Sequence, residues 1–491
     1  MKSKFSKVLS ILLSVVLVIS SFYLLYQVIR LNVLPSKFLF PLTIGVVVLD
    51  AIFILLLIYF SKNVVSKIVC IVLTLFICVA SCMGGYYISK TQNVLSSITN
   101  VAKHAKNTVS VVVKESSSIK NKSQLNGVSV GSLRLNEQGS KKALKELSSE
   151  GIVLNQTEYD SMTTLLEAFY NGEVDSIIIN ESSRSQILDM EAYSNFDSNT
   201  RVVYQTSYKV KNNDSATSVS DITSKPFNVL ISGSDTRGGF DENGRSDVIM
   251  IATVNPNTHT ILLTSVPRDF YVTTACDAGD GCMQGALDKI THTGIHGTNT
   301  TKRTVEQLLG IEINYTFKVG FDTVTELVDV LGGVDVYVEP GYATTTSEFS
   351  VHEGVNHLNA QQALAFARER YSYTEGDRQR TKNQQQVLMG IVKEATKPSV
   401  ITNYAAIMDT MANTFSTTMS NEEITDLIKY QLNNNPTWKM EQYMVDGTGD
   451  TLMCAELGDA ASVMVPDQST VKMAKDKINA VLAGKSSEDV K

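Results

Sequence analysis

Three short clusters of arginines and aspartates lie between Phe227 and Gln385. The first reads Ser234-Asp235-Thr236-Arg237, followed by Gly244-Arg245-Ser246-Asp247. The second is Val266-Pro267-Arg268-Asp269. The third joins Arg368-Glu369-Arg370 to Gly376-Asp377, Arg380 and Gln384-Gln385. Guanidinium groups grip phosphate oxygens through two parallel N–H bonds, and carboxylates hold the divalent cation that accompanies a polyphosphate. A glycine-rich segment separates Asp235 from Asp247, so a hairpin can bring the two carboxylates together. Such a pair suits Mg²⁺, with Mn²⁺ as the alternative, because the ion keeps waters and takes substrate phosphate oxygens. Arg245, two residues before Asp247, points to the same side of an extended chain. Arg268, Arg368, Arg370 and Arg380 bring the arginines to more than pairing requires, and a pyrophosphate ester suits them. Glu369 and Asp377 also offer Arg368 and Arg380 purely structural partners.

An α/β framework has to carry these residues. β-branched and aliphatic runs predict strands over Asn228–Ser232, Val248–Asn255, Thr260–Val266, Tyr315–Gly320, Val334–Val338 and Glu441–Val445. Helical patterns cover Thr300–Leu309, Phe321–Leu331, Asn359–Arg368, Gln379–Ala395 and Asn421–Leu432, and a last helix follows Pro466. Asp235 and Arg268 then sit just past strands, at the edge where open α/β sheets bind ligands. The expected class is a mixed sheet flanked by helices over residues 226–485, preceded by a smaller α/β unit at 108–211 and a polar linker at 212–225.

In the smaller unit, strands are expected at Thr108–Lys114, Val128–Leu133, Ile152–Asn155, Ile177–Asn180 and Arg201–Val210. Helices are expected at Gly139–Glu150 and Asp160–Asn171. Alternation of strands and helices points to a mainly parallel sheet. The stretch Leu165–Ile178 resembles one lobe of the periplasmic solute-binding fold over about a hundred residues. No second lobe accompanies it, so a structural or docking module is expected.

The N-terminus is of another kind. Val8–Ile29, Phe38–Phe60 and Ile68–Ile88 are apolar runs long enough to cross a bilayer, within a 1–89 membrane segment. Residues 90–107 read as a stalk. Lys2, Lys4 and Lys7 before the first run, and Lys62 and Lys67 before the third, place those ends in the cytoplasm. Three spans then put the remainder outside, as a multi-pass cell-membrane protein with a large extracellular domain. A phosphate bound there belongs to a lipid. Cys276 and Cys282 flank a short loop in an oxidising compartment, so a local disulfide is expected, with free thiols as the alternative. With 43 Lys+Arg against 50 Asp+Glu, and no basic run, nucleic acid is not an expected partner. His292 and His296 have the spacing of a zinc pair but lack its glutamate and enclose Gly294, so no metal role is read there.

Taken together and in this order, the clusters resemble the LytR-CpsA-Psr family of cell-wall ligases. The likeness rests on Gly233-Ser234-Asp235, Gly244–Asp247, Ser265–Asp269, Val330–Val336, Leu358–Leu364, Arg368-x-Arg370 and Asp377-x-x-Arg380-x-x-x-Gln384-Gln385. Three spans and a small accessory unit look most like the streptococcal capsule-type CpsA branch. The chain departs from the pattern at Asn383, where many relatives carry arginine, and at Lys289-Ile290-Thr291, where they carry lysine-isoleucine-asparagine.

The resemblance implies transfer of an undecaprenyl-pyrophosphate-linked glycan, capsular polysaccharide in the CpsA-like case, onto peptidoglycan. Capsule-assembly proteins are further expected partners. It implies that Asp235 and Asp247 hold Mg²⁺, that Arg245, Arg268, Arg368, Arg370 and Gln384 grip the pyrophosphate, and that Asp377 orients the arginines. Arg380 joins the phosphate-binding set, Arg268 and Asp247 are the expected catalytic pair, and Asp247 is the provisional base. A lipid-linked glycan pyrophosphatase and a non-enzymatic regulator of capsule synthesis are the competing readings.

Overall fold

The computed structural model describes residues 2–60, 63–99, 104–134, 137–234, 242–276, 282–397, 406–407, 410 and 415–491. It divides into two compact units. One comprises Met1–Thr99, Glu394–Ala412 and Ser420–Thr437; the other comprises Asn100–Lys393, Asn413–Met419 and Trp438–Lys491.

In the first unit, helices Lys2–Leu31, Ser36–Leu55 and Val64–Thr99 supply three segments long and apolar enough to cross a membrane. The third runs on to Thr99, so residues 90–99 continue that helix. Ser21 donates a 2.9 Å hydrogen bond to Asp50, giving the acid of the second span a partner. Helix Asn421–Asn434, started by a capping box of Ser420 and Glu423, belongs to this unit. Thr99 bonds Asn421 at 2.7 Å and Lys429 bonds Asn32 at 2.9 Å.

The second unit contains two large sheets. The first has order β3-β2-β4-β1-β5, built from β1 (His104–Lys114), β2 (Ser129–Leu133), β3 (Asn155–Tyr159), β4 (Ser176–Asn180) and β5 (Thr200–Lys211). Helices Glu137–Ser149 and Met162–Asn171 return the chain between β2, β3 and β4, and these three strands run parallel. β1 is antiparallel to β4 and β5. The sheet is therefore mixed rather than mainly parallel, because only a short 3₁₀ turn, Lys122–Leu125, lies between β1 and β2. β3 lies three residues later than expected, as a polar, exposed edge strand without an apolar signal.

Its core is shared. Val112, Leu165, Phe169, Ile177 and Phe196 pack in one cluster with Cys454, Leu457 and Val463. The last three come from an antiparallel hairpin, Gly447–Cys454 and Asp459–Pro466, that follows the other sheet in sequence.

The second sheet has β6 (Phe227–Ser234), β7 (Ser246–Asn255) and β8 (Thr260–Ser265) at its centre. Tyr315–Gly320 pairs with β6 in parallel, Phe415–Thr417 pairs with Tyr315–Gly320, and Lys439–Met444 pairs with β8 in parallel. β7 is antiparallel to both its neighbours. The carboxyl ends of β6, β8, Tyr315–Gly320 and Lys439–Met444 therefore open on one edge with the amino end of β7.

Leu230, Ile251 and Leu262 cover one sheet face through Val305 of helix Thr298–Leu309 and Ile478 of helix Gln468–Leu482. Helices Phe321–Leu331, Ala360–Arg368 and Asp377–Ala395 form a separate cluster with the hairpin Val334–Val338 and Gly354–Leu358, through Val328, Val336, Phe366 and Val387. Ile231, Phe317 and Val319, on the opposite sheet face from Leu230, remain only half-buried although they lie on interior strands. Cys276 and Cys282 form a disulfide.

Candidate functional site

β8 ends at Ser265, and Pro267 turns the chain so that Arg268 stands at the carboxyl edge. The Val266 amide still donates to Ile249, and the Arg268 carbonyl accepts from the Thr291 amide at 3.0 Å. Both ends of the turn are thereby fixed. The Arg268 Nη1 bonds Asp247 Oδ1 at 2.9 Å, and Thr291 Oγ1 lies 3.4 Å from the same oxygen. Asp269 sits 3.7 Å from Arg268 Nε and 3.1 Å from Lys289 Nζ. Arg245 Nη2 lies 3.9 Å from Asp247 Oδ2, while its Nη1 pairs with Asp189 from the smaller sheet's helices. From the other side, helix Asp377–Ala395 brings Asp377 and Arg380, one turn apart and ion-paired. Gln384 follows on that face and is half-buried. Arg370 donates to the Tyr371 hydroxyl at 2.6 Å and lies 4.7 Å over its ring.

Burial and neighbouring charge compete at each of these groups. Burial alone would pull Arg268 down, but Asp247, Asp269 and Asp377 hold it above the ordinary arginine pKa. For Arg380 burial wins: Arg268 and Arg370 repel it, Asp377 and Asp247 attract it too little, and its pKa falls below the ordinary value. Burial pushes the Asp269 carboxyl up, yet Lys289 and Arg268 more than offset this and hold it below the usual carboxylate range. The Nε atoms of Arg245, Arg268 and Arg380 are buried, and among the described residues none has a hydrogen-bond partner. An unmet buried donor costs about 1–3 kcal/mol, and more on a charged group. Three of them, on side chains clustered around Asp247, suit an anion with several acceptor oxygens.

The geometry thus brings together Arg245, Asp247, Arg268, Arg380 and Asp377 of the residues expected from sequence, with Arg370 close enough to act on Arg380. Arg368 is exposed at the end of its helix, one residue before the turn that leads to Arg370. Asp235 lies outside the described residues. Gln385, beside Gln384, is structural: its side-chain amide donates to the carbonyls of Leu263 and Tyr443 and ties two strands together. Asp269, Lys289 and Thr291 complete the cluster and were not singled out as site residues. The signal for them was the acid beside Arg268 and the Lys289-Ile290-Thr291 sequence. His292 and His296 pair with Asp288 at 2.7 Å and Glu456 at 2.9 Å.

The cation expected from sequence meets a mixed donor set. Among the described residues there is no group of three or more His, Cys, Asp or Glu side chains able to hold a metal. Asp247 has one oxygen on Arg268 and the other 3.9 Å from Arg245. That second oxygen is the one Asp247 would offer to Mg²⁺, an ion that would help neutralise a bound phosphate.

A glycine fixes the floor of the site. A Cβ on Gly294 would come within 2.5 Å of the Gly244 carbonyl oxygen, the Ser246 amide nitrogen and the Ser246 hydroxyl. The 3₁₀ segment Ile290–His296 therefore lies directly against the start of β7, where Arg245 and Asp247 emerge. Ser246 is bonded in turn to Ser232 at 2.9 Å and to Thr301 at 3.0 Å, a buried hydroxyl ladder that leaves no slack. Gly294→Ala is expected to lose about 1–3 kcal/mol by overpacking. A thermal melt of the full chain checks this, with a fall of about 2–4 °C per kcal/mol.

An α/β sheet whose carboxyl edge carries buried arginines, three of them with an Nε that has no hydrogen-bond partner among the described residues, defines an anion-binding site. The sequence profile of the LytR_cpsA_psr family matches residues 192–480, more than half of the chain. The chain belongs to this family. It is 30% identical over 241 residues to the polyisoprenyl-teichoic acid–peptidoglycan teichoic acid transferase TagU of Bacillus cereus, covering 48% of this chain and 76% of that protein. Identity is 34% over 203 residues with TagU of Bacillus subtilis, covering 41% of this chain and 63% of that one. The crystal structure of B. subtilis TagU aligns at 28% identity over 52% of this chain and 97% of its own, with a TM-score of 0.41.

Proposed function

We propose that this chain is a membrane-anchored transferase that moves a glycopolymer from a polyprenyl-pyrophosphate carrier onto peptidoglycan, outside the cell. The observation that carries the reading is the set of three buried arginine Nε donors around Asp247 that have no hydrogen-bond partner among the described residues. A pyrophosphate supplies acceptors to all of them, and family membership together with the relatives' names supports the reaction class. The half-buried Ile231, Phe317 and Val319 offer the polyprenyl tail an apolar wall. Capsular polysaccharide is the proposed polymer, on the resemblance to the CpsA branch. Three apolar helices, the lysine distribution and the Cys276–Cys282 disulfide support an extracytoplasmic second unit.

No nucleotide drives a ligation there, so the energy comes from the phosphoanhydride of the carrier. The acceptor oxygen attacks the glycan-bearing phosphorus and forms an O–P bond as the phosphoanhydride bond breaks and the polyprenyl phosphate leaves. Arg245, Arg268 and Arg380, clustered around Asp247, would neutralise the charge that grows on the departing phosphate. Asp377 holds Arg380 in place. Binding of phosphate to Arg268 loosens its hold on Asp247, which is then the carboxylate placed to take the acceptor proton. Asp235 and Asp247 would hold Mg²⁺, which when bound supplies further neutralisation of the pyrophosphate.

Mass spectrometry of organic extracts from the purified chain, wild type beside Arg268→Ala, tests the reading. A polyprenyl phosphate or pyrophosphate is expected on the wild type and not on the variant. If neither carries lipid, and the folded protein binds no added undecaprenyl phosphate, the proposal fails. Release of lipid phosphate at the same rate with and without peptidoglycan would make the protein a pyrophosphatase instead.

A further inference from the structure

Arg245 is held from outside its own sheet. Helix Arg184–Asp189 belongs to the smaller sheet, and its last residue, Asp189, accepts a hydrogen bond from Arg245 Nη1. The helix is a firm base for that contact. Ile187 is fully buried in the core cluster that includes Phe196. Arg184, only 7% exposed, holds Glu181 through two bonds of 2.6 and 2.8 Å and Asp197 through one of 2.9 Å. A second strut meets the same segment of chain. Lys106 and Thr108 of β1 both bond the Glu242 carboxylate, three residues before Arg245, and the Glu242 carbonyl accepts from Lys318 at 2.7 Å. Asp189 lies ahead of residues 192–480, so it stands outside the part matched by the family profile.

The three nitrogens of Arg245 are differently engaged. Nε and Nη2 share one edge of the planar guanidinium, whose parallel N–H bonds suit two oxygens of a phosphate. Nη1 points off the other side, and that is the nitrogen Asp189 takes. Nη2 stays 3.9 Å from Asp247 Oδ2, beyond hydrogen-bond reach, and the buried Nε has no partner among the described residues. The edge that grips phosphate is therefore left open. Without Asp189, attraction to the Asp247 carboxylate, which is only 10% exposed, would draw Arg245 onto it. That closure would occupy the phosphate edge and cover the second Asp247 oxygen.

We propose that Asp189 is a positioning residue: by holding Nη1 it keeps the Nε–Nη2 edge of Arg245 open to a phosphate, and so makes the smaller sheet part of the anion site. The Asp189 side chain is 58% exposed and its charge is screened by water, so its hold on Arg245 outweighs its repulsion of an arriving phosphate. That the phosphate is borne by a polyprenyl carrier rests on the transfer reaction proposed above; the placement of Arg245 does not.

The test is the affinity of the detergent-solubilised full chain for inorganic pyrophosphate and for undecaprenyl phosphate, measured by calorimetry. Asp189→Ala is expected to weaken binding about tenfold. Its melting temperature should hardly move, because an exposed ion pair adds little to stability. Asp189→Asn keeps an oxygen that accepts from Nη1 and discards the charge, and is expected to bind within about twofold of the wild type. On an Arg245→Ala background, Asp189→Ala should cost nothing more, since the acid acts only through that arginine. Tighter binding by Asp189→Ala would make the acid a competitor of the ligand, and unchanged binding would leave it a tie between two sheets; either result overturns the proposal. An asparagine variant as weak as the alanine one would also overturn it, by making charge rather than placement the cause. Pyrophosphate bound without the lipid phosphate would sink the transfer reading and leave this one standing, whereas binding of neither by the wild type would end both.

Discussion

Arg268→Ala is expected to lower the rate of polymer transfer by about 10²–10³-fold, the usual loss on removing one preorganised donor to a developing oxyanion. The side chain sits among Asp247, Asp269 and Asp377, and its buried Nε has no hydrogen-bond partner among the described residues. The same change strips Asp247 of its 2.9 Å partner, leaving a half-compensated carboxylate that is only 10% exposed. A cost approaching about 3 kcal/mol in stability is expected alongside the lost rate. Rates therefore have to be compared at temperatures where melting curves show both proteins folded. Arg268→Lys separates charge from shape. An ammonium is a point donor and cannot hold Asp247 and a phosphate with one planar fork. It should restore much of the stability and little of the rate. Full restoration of rate by lysine would show that the position supplies only charge.

Asp247→Asn is expected to split binding from chemistry. In the wild type, Asp247 competes with any phosphate for Arg268 and Arg245. Neutralising it frees both arginines and removes one negative charge from the site. Lipid phosphate should be retained at least as well as by the wild type, measured in organic extracts. Transfer should nevertheless fall by about 10²–10⁴-fold, the range for loss of a general base, and any stimulation by Mg²⁺ should weaken. Loss of lipid together with rate would mean that Asp247 serves only to hold the arginines in place.

Much of the site was legible because its residues come in tight runs. Val266-Pro267-Arg268-Asp269 announces a strand, a fixed turn and a charge pair in four letters, and the structure places it at the sheet edge. Asp377 and Arg380 share a helix face at ordinary spacing, so their pairing could be read directly. Lys289 could not. It reaches Asp269 from across a turn twenty residues downstream, and nothing local marks it as facing that acid. Gln384 and Gln385 look alike in sequence, but they turn to different sides of one helix and only Gln385 bonds two strands. In the smaller sheet, apolar alternation found the interior strands and missed β3, whose residues are polar because it is an edge. The hairpin Gly447–Pro466 was missed for a related reason: its apolar residues are sparse, and their partners lie about three hundred residues upstream.

That shared core also bears on how the chain can be divided. Cutting at the polar linker, the obvious place for anyone wanting the enzymatic half alone, would uncover Cys454, Leu457 and Val463, which are packed against Phe169 and Phe196. It would also remove Thr108 and Lys106 from Glu242, and Asp189 from Arg245. The trimmed protein would carry a greasy hairpin and an unshielded guanidinium on its surface, and would tend to aggregate and to pick up stray anions. Residues 104–211 and the larger sheet are therefore better regarded as one inheritable piece, in which any boundary drawn for expression or for domain exchange belongs before His104.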